Sequence, residues 1–247
     1  MTEWAGMLLG LVALAIGGVL KGATGIGAPM LAVPLLSILY GVPTAVALFA
    51  LPNLVLNGLQ AREYFAHLAP LNLILPLALA GMAGTWLGVW VLVNVPEEGL
   101  YLCMSLAVFA YLGLRFARPD WVLPVAVARK VAAPVGLVAG AMFGAVGISA
   151  PVSVTFLSAQ RLGRATFVAT ISTFFFILGV AHVPLLIASG IMTASLAIGS
   201  ALAILPIWLG MPLGARLARG FSADAFDRLT RILIGLIGVR MLHQAMG

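Results

Sequence analysis

Residues 17–29 read GGVLKGATGIGAP and residues 139–151 read AGAMFGAVGISAP, so one glycine-rich pattern occurs twice in the chain. Each copy places glycines and a proline inside an apolar run, where they interrupt a helix and leave backbone N–H and C=O groups without helical partners. Within a bilayer, such backbone is tolerated only where it is buried in protein or faces a polar cavity. The identical pairs are Gly18/Gly140, Gly22/Gly144, Ala23/Ala145, Gly25/Gly147, Ile26/Ile148, Ala28/Ala150 and Pro29/Pro151. Paired interruptions of this kind point to the binding site of a transporter.

The composition is that of an integral membrane protein. Of the 247 residues, 63% are hydrophobic and only 8% are charged, which is far from the balance of a soluble domain. The 13 Lys and Arg residues are spread between apolar runs, so the net positive charge indicates membrane topology and not a nucleic-acid surface. The N-terminus carries Glu3 and no basic region, so we expect its apolar run to be retained and not cleaved as a signal peptide. The bilayer is therefore the expected environment.

The apolar runs predict an all-α polytopic membrane protein with five helical segments in each half. The first half has segments over 4–20, 30–40, 43–59, 71–93 and 99–116, and the second over 131–143, 152–159, 165–188, 191–217 and 221–242. Residues 1–116 are predicted to form a first repeat, 117–130 a cytoplasmic joint and 131–247 a second repeat, within a single membrane domain over 1–247.

Five segments per repeat predict an inverted repeat, because the second copy then enters the membrane from the opposite side. The same parity places Glu3, Glu97 and Glu98 on one face and most basic residues on the other. That basic face carries Arg62, Arg115, Arg118, Arg129, Lys130, Arg161, Arg164, Arg216, Arg219, Arg228 and Arg231, whereas Arg240 falls with the acidic residues. By the positive-inside rule the basic face is cytoplasmic and both termini are periplasmic.

Several segments are too short to cross the membrane as straight helices, which need about 20 residues for a core of about 30 Å. The short segments are 30–40, 131–143 and 152–159. We therefore expect short or half-length helices to meet at mid-membrane beside each interruption. Re-entrant hairpins and tilted short crossings are equally compatible with five segments in each half.

The interruptions predict a pocket for a small anion. Pro29 and Pro151 suit the first turn of a helix, and helix N-termini pointing into the membrane favour negative charge. Lys21 is the only basic residue in either copy, and a lysine within the membrane is a functional-site candidate. The predicted substrate-binding residues are Lys21, Gly22, Thr24, Gly25, Gly27, Asn53, Asn57, Gly144, Gly147, Ser149, Ser153 and His182.

Each of these residues also has a structural interpretation. Small residues four apart allow helices to pack closely, and this role is compatible with a pocket. Lys21 could extend its amine to the membrane boundary. Asn53 and Asn57, which share a helix face, could form hydrogen bonds between helices, and His182 could be an ordinary buried histidine.

The sequence predicts no catalytic residue, cofactor or metal, and therefore no enzyme. It contains no phosphate-binding loop of the Walker type, no spacing typical of metal ligands and no arrangement typical of a catalytic triad. All seven acidic residues lie at or near segment ends, which argues against ion coupling through an embedded carboxylate. Transport would be facilitated, or coupled through a proton on the substrate or on His182.

Two motifs resemble those of the sulfite exporter TauE/SafE family of bacterial membrane permeases. They are GATGIGAPMLAVPLL over 22–36 and GAVGISAPVSV over 144–154, and the resemblance extends over essentially the whole chain. It implies movement of sulfite, organosulfonates or similar anions across the inner membrane, commonly outward. It applies to Gly22, Gly25, Gly27, Pro29, Gly144, Gly147 and Pro151. Many members have a further glycine where this chain has Ala28 and Ser149, which affects pocket width and selectivity.

The sequence thus favours an inner-membrane secondary transporter that exports small sulfur-containing anions by alternating access. The alternative is an anion channel, in which the same motifs line a continuous pore. A passive subunit of a membrane assembly is a third possibility. The expected partners are the anion and the lipid bilayer, without nucleic acid. A homo-oligomer of the chain is a further candidate assembly.

Overall fold

The computed structural model describes residues 3–25, 28–117, 122–220 and 223–246, and over these residues it consists of helices, turns and short connections. The first half contains α1 (Glu3–Thr24), α2 (Ala28–Tyr40), α3 (Val42–Glu63), a 3₁₀ turn (Phe65–His67), α4 (Leu71–Asn94) and α5 (Glu97–Ala117). The second contains α6 (Val125–Val146), α7 (Ala150–Ser158), α8 (Arg164–Ala188), α9 (Ala194–Leu202), α10 (Ile204–Gly220) and α11 (Ala223–Ala245). The predicted all-α class is confirmed.

The protein is a multi-pass membrane protein. Within the described ranges, seven helical stretches are long and apolar enough to span a bilayer. They are Trp4–Thr24, Val42–Glu63, Leu71–Asn94, Glu97–Leu114, Val125–Val146, Arg164–Ala188 and Ala194–Leu217.

Both copies of the repeated pattern end a helix, as predicted. Gly25 follows α1 with a φ of 86°, and its N–H donates to the Lys21 carbonyl at 2.7 Å. Gly147 follows α6 with a φ of 71°, and its N–H donates to the Phe143 carbonyl at 2.9 Å. A glycine in the left-handed region is a common helix terminator because it has no Cβ to clash there. The same device therefore closes two equivalent helices.

Each interruption is the turn of a helical hairpin with one long and one short arm. The Tyr40 hydroxyl, at the end of α2, donates to the Gly6 carbonyl near the start of α1 at 2.8 Å. In the second half, the Leu123 N–H just before α6 donates to the Ala159 carbonyl just after α7 at 2.7 Å. The long arms α1 and α6 have 22 residues each, whereas α2 has 13 and α7 has 9.

Two predicted segments differ from the observed helices. Segment 131–143 was expected to be short, but α6 begins at Val125 and includes the exposed Arg129 and Lys130 in its first turns. Part of the predicted joint over 117–130 is therefore helix, while residues 118–121 lie outside the described ranges. Segment 191–217 is divided into α9 and α10 at Ala203. Pro206 explains this division, because proline has no N–H for the carbonyl four residues earlier and its ring clashes with that carbonyl.

The two interruptions do not meet at one level, which corrects the mid-membrane prediction. Helices α3 and α8 run antiparallel, since Asn53 contacts the Phe175 carbonyl while Gln60, further along α3, contacts the earlier Ser172 of α8. A Cβ on Gly147 would lie 3.5 Å from Val46, near the start of α3, and one on Gly25 would lie 3.2 Å from Val168, near the start of α8. The interruptions thus lie toward opposite ends of the α3–α8 pair. The long arms carry them there, because 22 helical residues span about 33 Å.

Glycines bring two helix pairs into backbone contact. Gly18 and Gly22 of α1 lie against the backbone of α10 at Ile207 and Met211. In the second half, Gly140 of α6 lies against the Gly81 carbonyl of α4, and Gly144 lies against the Thr85 carbonyl. A Cβ at any of these four positions would collide with main-chain atoms. The close-packing interpretation of the glycines is therefore confirmed.

A carboxylate caps the junction between α2 and α3. Gly41 has a φ of 86°, and the N–H of Val42 donates to Glu97 Oε1 at 2.9 Å. The neighbouring Tyr101 hydroxyl donates to the Ser37 carbonyl at 2.7 Å. Because the first N–H groups of a helix lack helical partners and carry partial positive charge, Glu97 stabilises the start of α3.

Replacing Gly140 by Ala is expected to destabilise the protein by about 2 kcal/mol, the usual range for overpacking in a tight interior. The added methyl group would collide with the Gly81 carbonyl, which belongs to a helix and cannot move away alone. Thermal unfolding in detergent measures the effect. Gly113→Ala is the control, since a Cβ there meets no described atom within 4 Å. Equal unfolding temperatures for the two variants would contradict the packing role.

Replacing Glu97 by Ala is expected to lower the free energy of unfolding by about 1 kcal/mol, the typical value of a helix cap. Glu98→Ala removes the same charge from the adjacent exposed position and should leave stability nearly unchanged. Chemical denaturation of both variants in one detergent checks this difference. If Glu98→Ala were the more destabilising change, the cap would be misassigned.

Candidate functional site

Lys21 is a buried amine that is bound by neutral groups. Its side chain is only 3% exposed, although the residue lies three positions before the end of α1. The amine donates to Asn57 Oδ1 at 2.7 Å and to Gln60 Oε1 at 3.1 Å. The side chain is thus held by α3 and is not extended to the membrane boundary. Both acceptors are amide oxygens, and the described part of the chain brings no carboxylate into ion-pair contact with the amine.

Gln60 connects this site to the second half of the chain. Its Oε1 accepts from Lys21 and also from the Ser172 hydroxyl of α8 at 2.9 Å. One amide oxygen therefore joins α1 and α3 of the first half to α8 of the second. A relative movement of the halves would alter the surroundings of the lysine directly.

Asn53 and Asn57 extend the network along one face of α3, as their spacing predicted. The Asn57 amide donates to the backbone carbonyl of Asn53 at 2.8 Å and to its Oδ1 at 2.9 Å. The Asn53 amide approaches the Phe175 carbonyl of α8 at 3.4 Å. Asn53 thus links helices and Asn57 holds the lysine, so the two residues have different structural roles.

The serines of the second interruption lie apart from Lys21. Ser149 and Ser153 are both buried, with their hydroxyls 3.2 Å apart, and Ser153 also donates to the Ser149 carbonyl at 2.9 Å. The interruption beside them contacts α3 at Val46, whereas Lys21 contacts α3 at Asn57. These positions are eleven residues apart, or about 16 Å along a helix. The structure therefore does not bring the two groups of predicted ligands together.

The predicted glycines divide by position. Gly25 and Gly147 end helices, and Gly22 and Gly144 pack against neighbouring backbones. Gly27 lies outside the described residues. Thr24 is exposed at the end of α1, where its hydroxyl donates to the Leu20 carbonyl at 2.8 Å. Direct substrate contact by these residues stays a prediction.

His182 is buried beside Phe143 of α6. Its imidazole is 1% exposed, and the two ring centroids are 4.9 Å apart with an interplanar angle of 58°. The backbone of Gly144 is near, yet neither ring nitrogen makes a hydrogen bond of ordinary geometry within the described chain. His182 is therefore neither part of the lysine network nor an ordinary histidine with satisfied hydrogen bonds.

Two members of the lysine network, Gln60 and Ser172, were not among the predicted site residues. Gln60 is three residues after Asn57 and seven after Asn53, which places all three amides on one helix face. That spacing is a signal in the sequence that could have identified Gln60. Ser172 had no comparable signal, because its contact depends on the antiparallel packing of α8 on α3.

The arrangement suits anion binding better than catalysis or metal binding. When protonated, a buried amine with only neutral partners carries an uncompensated charge, which is costly in a low-dielectric interior. An anion that reaches the amine would supply the missing negative charge. In the described residues there is no group of three or more His, Cys, Asp or Glu side chains that could hold a metal ion.

Comparison with known proteins is consistent with this chemistry. A family profile described as "Sulfite exporter TauE/SafE" matches residues 9–241. No curated protein matches the chain, and no solved structure matches it. Because the profile match covers nearly all of the 247 residues, the chain belongs to the sulfite exporter TauE/SafE family of membrane transporters for sulfite and related sulfur anions.

Proposed function

We propose that this protein is a secondary transporter that exports sulfite or an organosulfonate across the bacterial inner membrane by alternating access. The observation that carries the proposal is the buried Lys21 amine, which has only amide oxygens as partners. Family membership supports a sulfur anion as the transported species.

The lysine network has the chemistry to bind a small oxyanion. An ammonium group has three hydrogens to donate, and two of them meet Asn57 and Gln60. Sulfite and sulfonates present several oxygens around one sulfur, so they can accept from the amine while the carboxamides rotate to present their NH₂ groups. In this proposal the amide oxygens accept hydrogen bonds from the amine while no anion is bound. The anion replaces them as acceptor when it binds. Thr24, at the adjacent end of α1, is the hydroxyl closest in sequence to the lysine.

Reciprocal contacts support the inverted repeat. The two copies are offset by 122 residues (139 minus 17). Gly25 faces Val168, and Gly147 faces Val46. Adding 122 to Gly25 gives Gly147, and subtracting 122 from Val168 gives Val46, so the two contacts are equivalent. Reciprocity of this kind is the mark of a two-fold axis. Asn53 approaches the carbonyl of its own counterpart, Phe175, and the counterpart helices α3 and α8 run antiparallel, as inversion requires.

The position of Gln60 supports alternating access. Because its oxygen accepts from the first half through Lys21 and from the second through Ser172, rocking of one half against the other would open or close the lysine site. With both termini periplasmic, the Lys21 end of α3 faces the cytoplasm, where an exporter must collect its substrate. Ser149, Ser153 and His182 would then line the periplasmic part of the path.

Lys21→Met is expected to weaken sulfite binding at least 30-fold, because loss of a buried charged partner costs about 2 kcal/mol or more. The measurement is the rise in unfolding temperature that sulfite confers on purified protein, since a ligand of the native state stabilises it more the higher its concentration is relative to its Kd. Lys130→Met is the matched control, because it removes the only other lysine, which is exposed on α6.

Unchanged sulfite stabilisation in folded Lys21→Met protein would contradict the assignment of Lys21. Stabilisation by cations or lipids, with none by sulfite, thiosulfate, sulfate or short sulfonates, would contradict the anion transporter itself. Single-channel currents in planar bilayers would instead favour the anion channel.

Cysteine accessibility tests the proposed topology. In a Cys103→Ser background, which lacks the protein's single cysteine, Glu98→Cys is expected to react with a membrane-impermeant maleimide from the periplasmic side. Gly163→Cys, where a Cβ meets no described atom within 4 Å, should react only after the membrane is opened. The reverse pattern would place the termini in the cytoplasm, and labelling of both sites from one side would contradict the inverted repeat.

A further inference from the structure

His182 is a buried polar group that lacks hydrogen-bond partners. Its side chain is 1% exposed, and neither ring nitrogen makes a hydrogen bond of ordinary geometry with the described residues, although the Gly144 backbone is near. A buried donor or acceptor left unsatisfied costs about 1–3 kcal/mol, so nearly all such groups in proteins are satisfied and the exceptions need an explanation. Packing alone does not require an imidazole here, since an apolar side chain of similar size would avoid this cost.

The ring that contacts His182 can stabilise a positive charge. The Phe143 and His182 centroids are 4.9 Å apart, within the distance of about 6 Å at which an aromatic ring attracts a cation. In its neutral form the imidazole packs on the ring as an aromatic neighbour. The contact therefore accommodates both protonation states without rearrangement of the surrounding helices.

The position of His182 matches that of the lysine network in the other half. Adding the repeat offset of 122 to Lys21 gives Phe143, and adding it to Gln60 gives His182. The Lys21–Gln60 contact at 3.1 Å thus corresponds to the Phe143–His182 contact. One half contains an amine and an amide at these positions, and the other contains an aromatic ring and an imidazole that can gain or lose a proton.

Among the described residues of the elements packed against α8, no titratable group lies beside His182. The elements packed against α8 are α3, α4, α6, α7 and the 3₁₀ turn, and α4 and α7 contain no titratable residue. The titratable residues of the others are Arg62, Glu63, His67, Arg129 and Lys130. Arg62, Glu63 and His67 follow Gln60, which pairs with Ser172 near the start of α8. Arg129 and Lys130 lie at least 14 residues before Gly144, or about 21 Å along α6. His182 is therefore electrostatically isolated from them.

We propose that His182 carries the proton that couples anion transport to the pH difference across the membrane. This inference rests on the proposed function. When the anion binds, a lone pair on one ring nitrogen takes a proton from the aqueous phase and forms an N–H bond. On the other side the same bond releases the proton as the anion leaves. One positive charge thus travels with each anion, so the sulfite dianion leaves with one net negative charge, which an inside-negative membrane potential drives outward although an acidic outside opposes it. No electron is transferred, and the imidazolium can donate to the anion while both are buried.

Transport in proteoliposomes separates this role from anion binding. Exchange of labelled sulfite at equal pH on both sides needs no net proton movement, whereas accumulation driven by a pH difference does. In His182→Gln we expect the ratio of pH-driven accumulation to exchange to fall at least tenfold relative to the wild type. His67→Gln, which alters an exposed histidine, should leave both activities unchanged. The wild type and the variants are compared at the same pH values, so a proton carried by sulfite itself contributes equally to all.

The outcomes distinguish the two proposals. Accumulation that persists in His182→Gln overturns the proton-carrying role and leaves the transporter intact. Absence of sulfite exchange in the wild type overturns the proposed function, and with it the present inference. A strictly structural role would impair exchange and accumulation together.

A measurement on the wild type covers the case in which His182→Gln does not fold. The chain has three histidines, His67, His182 and His243, so nitrogen-15 NMR of histidine-labelled protein resolves a small set of signals, which His67→Gln and His243→Gln assign. At fixed pH, sulfite is expected to shift the His182 ring toward the imidazolium form and leave the other two unchanged. If the His182 signals do not respond to saturating sulfite, the proposal is overturned.

Discussion

Direct contact between helix backbones is the constraint on which the rest of the structure depends. Glycines let α1 lie on α10 and α6 lie on α4 without intervening side chains, and in a bilayer such close approach replaces the hydrophobic driving force that water would supply. These glycines belong to the same short motifs that end α1 and α6. The same motifs thus determine both the helix packing and the helix interruptions. Because Lys21 lies between Gly18 and Gly22 in sequence, this packing holds it at a fixed position beside α3.

The lysine network shows how a cation persists inside an apolar protein. Two amide oxygens accept hydrogen bonds from the amine, but they cannot neutralise a positive charge on it. Stability alone would favour an apolar residue at this position, as in the second half, where Phe143 occupies it. A lysine at this position therefore needs an explanation other than stability. The amide oxygens of Asn57 and Gln60 are the protein's own ligands for the amine.

Four features could be predicted from the sequence because each follows from local spacing. They are the helical class, the two interruptions, the glycine packing and the juxtaposition of Asn53 with Asn57. The level of the interruptions was misjudged, since polar residues at the ends of α1 and α6, such as Lys21 and Arg129, were not counted in the apolar runs. Gln60 was overlooked because it lies near the end of α3. The contacts of Ser172 depend on how α8 packs on α3, which no local pattern specifies.

The replacement of lysine by phenylalanine in the second copy makes the two ends of the α3–α8 pair chemically unequal. In a carrier with identical halves, substrate would be captured equally well from either side. Here one end carries the Lys21 amine and the other an aromatic ring with an imidazole. Such inequality cannot by itself concentrate a solute, because the ratio of forward to reverse flux at equilibrium is fixed by thermodynamics. It instead determines the concentration range over which each face is half-saturated. A carrier built in this way reaches half-saturation at different substrate concentrations on its two faces.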